Sequence, residues 1–305
     1  MKTSFREGLP KEFVRNAISL CGAAGERWLD DLPERIAMLE EGWSITVHGH
    51  FSNLSYNFVA TASSENNDPA ALKIGLPLND VEIFSEATFL RTREGNGAVR
   101  LLREHRELHA ILVERADPGV YLTQIFEERE TEACRPAIDL LKRLLCLPPK
   151  DLSDVIFLDD WFSGLRRYSG TKFPPQYAVK ALDIYEKLST QSGRTYYLHG
   201  DFHHENILSA TRLPYLVIDP KGIIGHVGYE IAVFLNNHHW WQDTKSDIRQ
   251  RLGLAVDQFA LAFDIDPLEL RQWAFAQMVL SAWWTFDEMH DIYDDEVALA
   301  DIWDV

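Results

Sequence analysis

Hydrophobic positions along this chain change period twice, and the changes divide it into three stretches. Residues 1 to about 42 repeat at helical spacing, with Phe13, Ala17 and Ile18 on one stripe and Leu29, Leu32, Ile36 and Leu39 on another. From 43 to 116 the pattern shortens to strands around one helix. Along Ala71-Leu72-Lys73-Ile74, alternation turns Leu72 and Ile74 toward a core and Lys73 toward a cleft. Asn79-Asp80 predicts the cap of the helix that carries Glu86 and, one turn on, Leu90. A strand-like run, Leu108 to Leu112, follows. Beyond the turn pair Pro118-Gly119 the helical period returns, through Ala137, Ile138, Leu141, Leu144 and Leu145, then Tyr177, Ala181, Ile184, Tyr185 and Leu188. Asp266-Pro267 reads as cap and first-turn pair of a last long helix containing Leu270, Trp273, Ala274 and Gln277. Strands and helices in separate runs predict an α+β chain with a boundary near 117.

Two short β-prone runs interrupt the helical part, Tyr196 to Leu198 and Leu216 to Ile218, and each leads to an acid. The first opens Leu198-His199-Gly200-Asp201-Phe202-His203-His204-Glu205-Asn206-Ile207-Leu208, and the second ends in Val217-Ile218-Asp219-Pro220. An acid five residues before a carboxamide, with a second acid after an apolar run, suits phosphoryl transfer from a magnesium nucleotide. One carboxylate orients the attacking hydroxyl; the Asn and the other Asp hold metal ions. His-Gly-Asp alone also fits a turn in which the Asp caps a helix. The histidines compete as zinc ligands, but that chemistry needs a second His four residues after the first with Glu beside it, and Leu208 stands at that place after His204. Hydrogen bonding within the loop is the better reading of them. Lys73 on its apolar strand needs a partner, which Glu86 offers; an edge-strand lysine with a solvated Glu86 is the alternative.

With Ala71-Leu72-Lys73-Ile74-Gly75, Ser85-Glu86-Ala87 ahead of Leu90-Arg91, Gly97-Ala98-Val99-Arg100-Leu101-Leu102, Leu112-Val113-Glu114-Arg115-Ala116 and the two segments above, most of the chain resembles the aminoglycoside phosphotransferase family. It is most similar to the streptomycin 6-phosphotransferase and hydroxyurea phosphotransferase branch. The resemblance implies a two-lobed protein-kinase-like fold: a small antiparallel-sheet lobe with helices that binds nucleotide, residues 1–116, and a larger, mostly helical catalytic and substrate-binding lobe, residues 117–305. It further implies ATP and Mg2+ as cofactors. Asp201 would then position and deprotonate the acceptor hydroxyl, Asn206 and Asp219 would bind magnesium, and Lys73, oriented by Glu86, would contact the phosphates. Backbone groups of Glu114 and Ala116 would read the adenine edge. The phosphate-covering loop departs from the usual pattern, because His48 to Asn57 holds only Gly49 and no G-x-G-x-x-G. Ser52, Asn53 and Ser55 stand where backbone amides usually donate, and equally fit a hairpin turn. The implied activity is ATP-dependent O-phosphorylation of an aminoglycoside such as streptomycin. Alternatives are a kinase for hydroxyurea, a sugar, choline or a homoserine-type metabolite, and an inactive nucleotide-binding module. The intact Lys73, Asp201, Asn206 and Asp219 set argues against the last.

Composition narrows the partners. The 305 residues are 46% apolar with 9 Trp and 16 Phe, ample for buried cores. A net charge of -17 repels nucleic acid. From Asp287 to Asp304 stand eight acids and no Lys or Arg, a field that would attract a cationic acceptor or simply solvate the segment. Among adjacent aromatics Trp240-Trp241 and Trp283-Trp284, one ring of each pair cannot face the core. Trp283, with Asp287 and Glu288 nearby, is the acceptor-contacting candidate. Lys221 either balances the acidic metal site or touches the acceptor. No apolar run is of membrane-spanning length, Met1 to Glu7 lacks a signal-peptide core, and Cys21, Cys134 and Cys146 make neither a C-x-x-C nor an even disulfide set, so a cytoplasmic protein is expected. Both monomer and homodimer fit.

Overall fold

The computed structural model describes residues 2–78, 82–126, 129–170, 172–191, 194–237, 245–289, 297 and 299–305. The chain separates into two compact units, Met1–Asp117 and Pro118–Val305.

The first unit opens with helices α1 (Lys2–Glu7), α2 (Lys11–Cys21) and α3 (Ala23–Trp43). Strands β1 (Ile45–His50), β2 (Phe58–Ser64) and β3 (Pro69–Ile74) follow, then α4 (Glu82–Arg93), β4 (Leu101–His105) and β5 (Ala110–Glu114). The strands form one antiparallel sheet in the order β1-β2-β3-β5-β4. Period-two alternation gives the sheet two apolar faces. Phe58, Ala60, Ala70, Leu72, Ile74 and Leu112 pack into one core with Phe13, Trp28, Leu29, Leu32 and Leu39 of α2 and α3. On the opposite face Ile111 packs with Ile83 and Ala87 of α4. Leu72 is fully buried, so truncation to Ala there would cost about 2–5 kcal/mol. At the α2–α3 crossing, a Cβ on Gly25 would lie 2.1 Å from the Ala17 carbonyl oxygen, so only glycine lets the helices approach. The strand expected from Leu108 starts two residues later, because His109 closes a turn in the left-handed conformation (φ 49).

The second unit contains β6 (Pro118–Tyr121), α5 (Leu122–Ile125), α6 (Glu130–Leu144), β7 (Ile156–Phe157), α7 (Leu158–Arg167) and α8 (Pro175–Gln191). It continues through β8 (Tyr196–Leu198), a 3-10 turn (His204–Asn206), β9 (Ile207–Ala210), β10 (Tyr215–Val217) and β11 (Ile223–Gly225). Helices α9 (Val227–Asn236), α10 (Lys245–Phe263) and α11 (Pro267–Met289) and a 3-10 turn (Leu299–Trp303) complete it. Two small sheets, β10-β9-β6 and β7-β11-β8, carry the loops of interest. All of α9 is buried, packed against α11, which also meets α8. Its polar end is satisfied: Asn236 donates to the Ala274 carbonyl at 2.8 Å and to Gln277, and accepts from the Trp303 indole N–H at 3.0 Å. As the sequence predicts, α11 begins at Pro267, with the Leu268 N–H donating to the Asp266 carboxylate at 2.8 Å.

Part of the acidic C-terminal stretch serves packing. Asp301 accepts from the Tyr177 hydroxyl at 2.7 Å, and its carbonyl accepts from Arg249. Asp287 is exposed. Asn79-Asp80, Trp240-Trp241, the Glu288 side chain and most of the acidic run lie outside the described residues. Among the described residues no helix is long and apolar enough to cross a membrane.

Candidate active site

In the first unit the chemistry starts from alternation along β3. Lys73 pairs in register with Ile111, on the face that α4 covers, while its neighbours Leu72 and Ile74 enter the opposite core. Lys73 is 8% exposed, and its ammonium needs a counter-charge. Glu86 of α4, 4% exposed, supplies it: Nζ lies 2.6 Å from Oε2. The structure therefore realises the partnered reading of Lys73. Ser52 and Asn53 are exposed in the β1–β2 turn. At the end of β5 the Glu114 N–H donates to the Arg100 carbonyl at 2.8 Å, and the Glu114 carboxylate accepts from the Arg100 N–H at 3.0 Å. With its N–H committed, Glu114 can offer a ligand edge only its carbonyl. Ala116 is buried just beyond.

In the second unit the stretch from Leu198 to Leu208 is a backbone-directed web. Gly200 takes φ 85, where a side chain would be strained, and turns the chain between His199 and Asp201. His199 is fully buried. Its Nδ1 accepts from the Asp201 N–H at 3.2 Å, which leaves Nε2 to donate to the Ile218 carbonyl at 2.8 Å. Those partners assign the neutral tautomer. Burial, the largest influence, pulls the imidazole down to about 4, against the nearby Asp201 carboxylate. The His199 carbonyl also accepts from the Lys221 and Gly222 N–H groups, at 2.7 and 3.2 Å. One histidine thus ties the Asp201 loop to the loop bearing Asp219.

Asp201 keeps about a third of its side chain, 36%, exposed. Burial acts to raise its carboxyl, but His203, whose Nε2 lies 3.6 Å from the carboxylate, then His199 and Lys221, outweigh that and hold it at about 2. The Asn206 amide N–H2 donates to the Asp201 carbonyl and carboxylate at 2.9 and 3.0 Å. Both bonds use Nδ2, so Oδ1 remains on the other side of the amide as a hard oxygen donor. Asp219 adopts φ 55, a left-handed conformation that costs on the order of 1 kcal/mol for a residue with a Cβ. Oxygen donors from an amide and a carboxylate match magnesium, which takes its remaining ligands from water and phosphate. Among the described residues no group of three or more His, Cys, Asp or Glu side chains could hold a metal by itself.

Glu230 was not singled out from the sequence. Its two carboxylate oxygens accept from the His199 and Gly200 N–H groups at 2.6 and 2.8 Å, from the first turn of fully buried α9. Burial pushes its carboxyl up to about 8, against the downward pull of those two donors. A lone acid inside the apolar run Val227–Asn236 was the available signal. Trp283, expected to contact the acceptor, is instead a packing residue: it is 6% exposed and sits among Tyr168, Phe173 and Phe286. Its neighbour Trp284 is the half-buried ring of the pair.

The sequence profile of the aminoglycoside/hydroxyurea antibiotic resistance kinases matches residues 43–288. A hydroxyurea phosphotransferase from Kitasatospora aureofaciens is 28% identical, over 95% of this chain and 82% of its own. A streptomycin 6-kinase from Streptomyces griseus is 24% identical, over 97% and 95%. Among solved structures, an amicoumacin kinase in complex with AMP-PNP superposes with a TM-score of 0.55 at 14% identity, covering 90% of this chain and 95% of that one. That likeness carries the protein-kinase-like fold: an antiparallel-sheet unit followed by a mostly helical one.

Proposed function

The chain belongs to the aminoglycoside/hydroxyurea antibiotic resistance kinase family, and on that premise we propose that it transfers phosphate from Mg-ATP to an oxygen of a small-molecule acceptor, an aminoglycoside such as streptomycin being the leading class. Lys73, steadied by Glu86, holds the nucleotide phosphates. The Glu114 carbonyl and the Ala116 N–H meet the donor and acceptor of the adenine edge, and Ser52 and Asn53 lie over the phosphates. Asn206 and Asp219 hold magnesium, which neutralises charge on the phosphates. Asp201 faces the acceptor.

The observation that carries this reading is the Asn206 amide bonded to Asp201, on a loop tied through His199 to the Asp219 loop. It supports the reading because a carboxylate and an amide oxygen donor then share one frame. A carboxylate held at about 2 is a weak base, so Asp201 acts chiefly by orienting the hydroxyl, and takes its proton late as the phosphoryl group arrives. Relatives named for streptomycin and for hydroxyurea support the acceptor class, and the exposed Asp287 suits a cation. Hydroxyurea is the second reading, supported by the 28% identical relative.

The test is phosphate transfer with ATP and magnesium across streptomycin, hydroxyurea, choline and homoserine. Streptomycin is expected to be phosphorylated with the highest kcat/KM. Transfer to none of the four would overturn the proposal.

A further inference from the structure

Outside the loops that carry Asp201 and Asp219, Trp161 and Trp284 form a half-buried pair of tryptophans. Trp161 of α7 and Trp284 of α11 meet edge to face, with ring centroids 5.1 Å apart and planes at 86°. Two rings at right angles cannot cover each other's faces, and both retain accessible surface. Behind Trp161 lies Tyr229, centroid to centroid 6.0 Å. Tyr229 is fully buried, and its hydroxyl has no hydrogen-bond partner among the described residues. Burial raises that phenol, and the Glu230 and Asp201 carboxylates raise it further, so the hydroxyl sits within their field. Glu230, the next residue, grips the backbone leading into Asp201. The aromatic corner and the acceptor-orienting carboxylate therefore share one rigid support.

Resting on the phosphotransferase reading above, we propose that Trp161 and Trp284 form the acceptor platform, selecting molecules that carry a planar guanidino or ureido group. Flat, delocalised groups of this kind stack on indole faces, and a guanidinium adds the attraction of a cation for the ring quadrupole. The surrounding charge favours the cation: the protein carries a net charge of -17, and Asp287, exposed, follows Trp284 by three residues on the same helix. Streptomycin carries guanidino groups and hydroxyurea a ureido group, so one platform accommodates both acceptors named among the relatives.

The experiment compares steady-state kinetics of the parent with Trp161→Ala, Trp284→Ala and the milder Trp161→Phe and Trp284→Phe, using streptomycin and hydroxyurea separately. Only variants that keep the parent's melting temperature are compared, and the Phe forms keep a ring if the Ala forms do not fold. Each Ala variant is expected to raise the acceptor KM about tenfold, with the KM for ATP unchanged and the Phe variants in between. A larger rise for streptomycin identifies the guanidinium as the group that stacks; equal rises identify planarity alone. Acceptor KM values unchanged in every folded variant would overturn the platform while leaving the phosphotransferase reading intact. So would a parent that phosphorylates only acceptors without a guanidino or ureido group. A parent that transfers phosphate to no acceptor would instead remove the reading on which the platform rests.

Discussion

The Lys73 site and the Asp201 site hold their reactive groups by opposite means. Lys73 is positioned by charge against charge, between side chains on β3 and α4, with both members buried and 2.6 Å apart. Asp201 is positioned by neutral and backbone groups: His199 and Asn206 bond to it, and Glu230 grips the two residues before it. A buried ion pair fails all at once, because removing one partner strands the other's charge. A web loses its geometry in steps, one bond at a time. A flexible cationic side chain needs such a counter-charge to stay put, whereas a loop is best held where its backbone polar groups already point.

The largest expected effect strikes the reactive group itself. Asp201→Asn should lower kcat on the order of a hundred- to ten-thousand-fold while leaving nucleotide affinity near the parent's, measured by ATP titration and by turnover with streptomycin. Near-parental turnover would remove Asp201 from the mechanism. Next comes the ion pair. Lys73→Met should destabilise the chain by about 3–5 kcal/mol in denaturant unfolding, and Lys73→Met with Glu86→Gln should recover much of that loss without recovering ATP affinity. If the double variant is no more stable than Lys73→Met, the pair is not the concentrated contact described above.

Within the web, His199 gives a smaller effect whose sign depends on pH. Its folded value of about 4 lies below the ordinary 6.5, so the unfolded chain binds the proton more readily. The stability from keeping this ring neutral is complete above about pH 6.5 and is lost as pH falls toward 4, about 3 kcal/mol in all. Burial lowers His226 to about 4 as well, so it adds to the same acid loss. His199→Gln should flatten the fall between those pH values by the part due to His199. Parallel curves for parent and variant would refute the assignment.

How much of this was legible in the sequence follows from the same contrast. Side chains that carry chemistry stand out when their type is wrong for their surroundings. Lys73 on an apolar strand asked for a partner, and Glu86 is that partner. Asp266-Pro267 announced the start of α11 because capping is local. The strand ends before His199 and after Leu216 were visible in β-prone runs. Long-range support was not. Glu230 acts thirty residues from Gly200, and only a carboxylate inside an apolar helix hinted at it. Trp283 was the ring expected to meet the acceptor, but it is buried and Trp284 is the half-buried one; α11 meets α8, α9 and α10 and has no single apolar stripe to show which ring faces inward. Acidic run and acceptor field also looked alike, although Asp301 is occupied by Tyr177.

The smallest effect tests whether the web does yield in steps. Glu230→Gln keeps the shape of the side chain but turns an N–H2 toward one of the two backbone donors, His199 or Gly200, so one hydrogen bond is lost and one remains. A single buried bond of this kind should cost about 1–3 kcal/mol, with kcat falling modestly and the KM for ATP unchanged. The pH dependence sharpens the point. Burial raises the Glu230 carboxyl from 4.5 to about 8, so the folded protein holds this proton more tightly than the unfolded chain does. The parent's advantage is therefore complete below about pH 4.5 and shrinks as pH rises through 8, whereas a Gln has nothing to ionise. The stability deficit of Glu230→Gln, from urea midpoints at pH 5 and pH 8.5, should be larger at the lower pH. A deficit that instead grows toward pH 8.5 would mean that the two backbone donors, not burial, dominate this carboxyl, and that the Asp201 loop is held by charge much as Lys73 is.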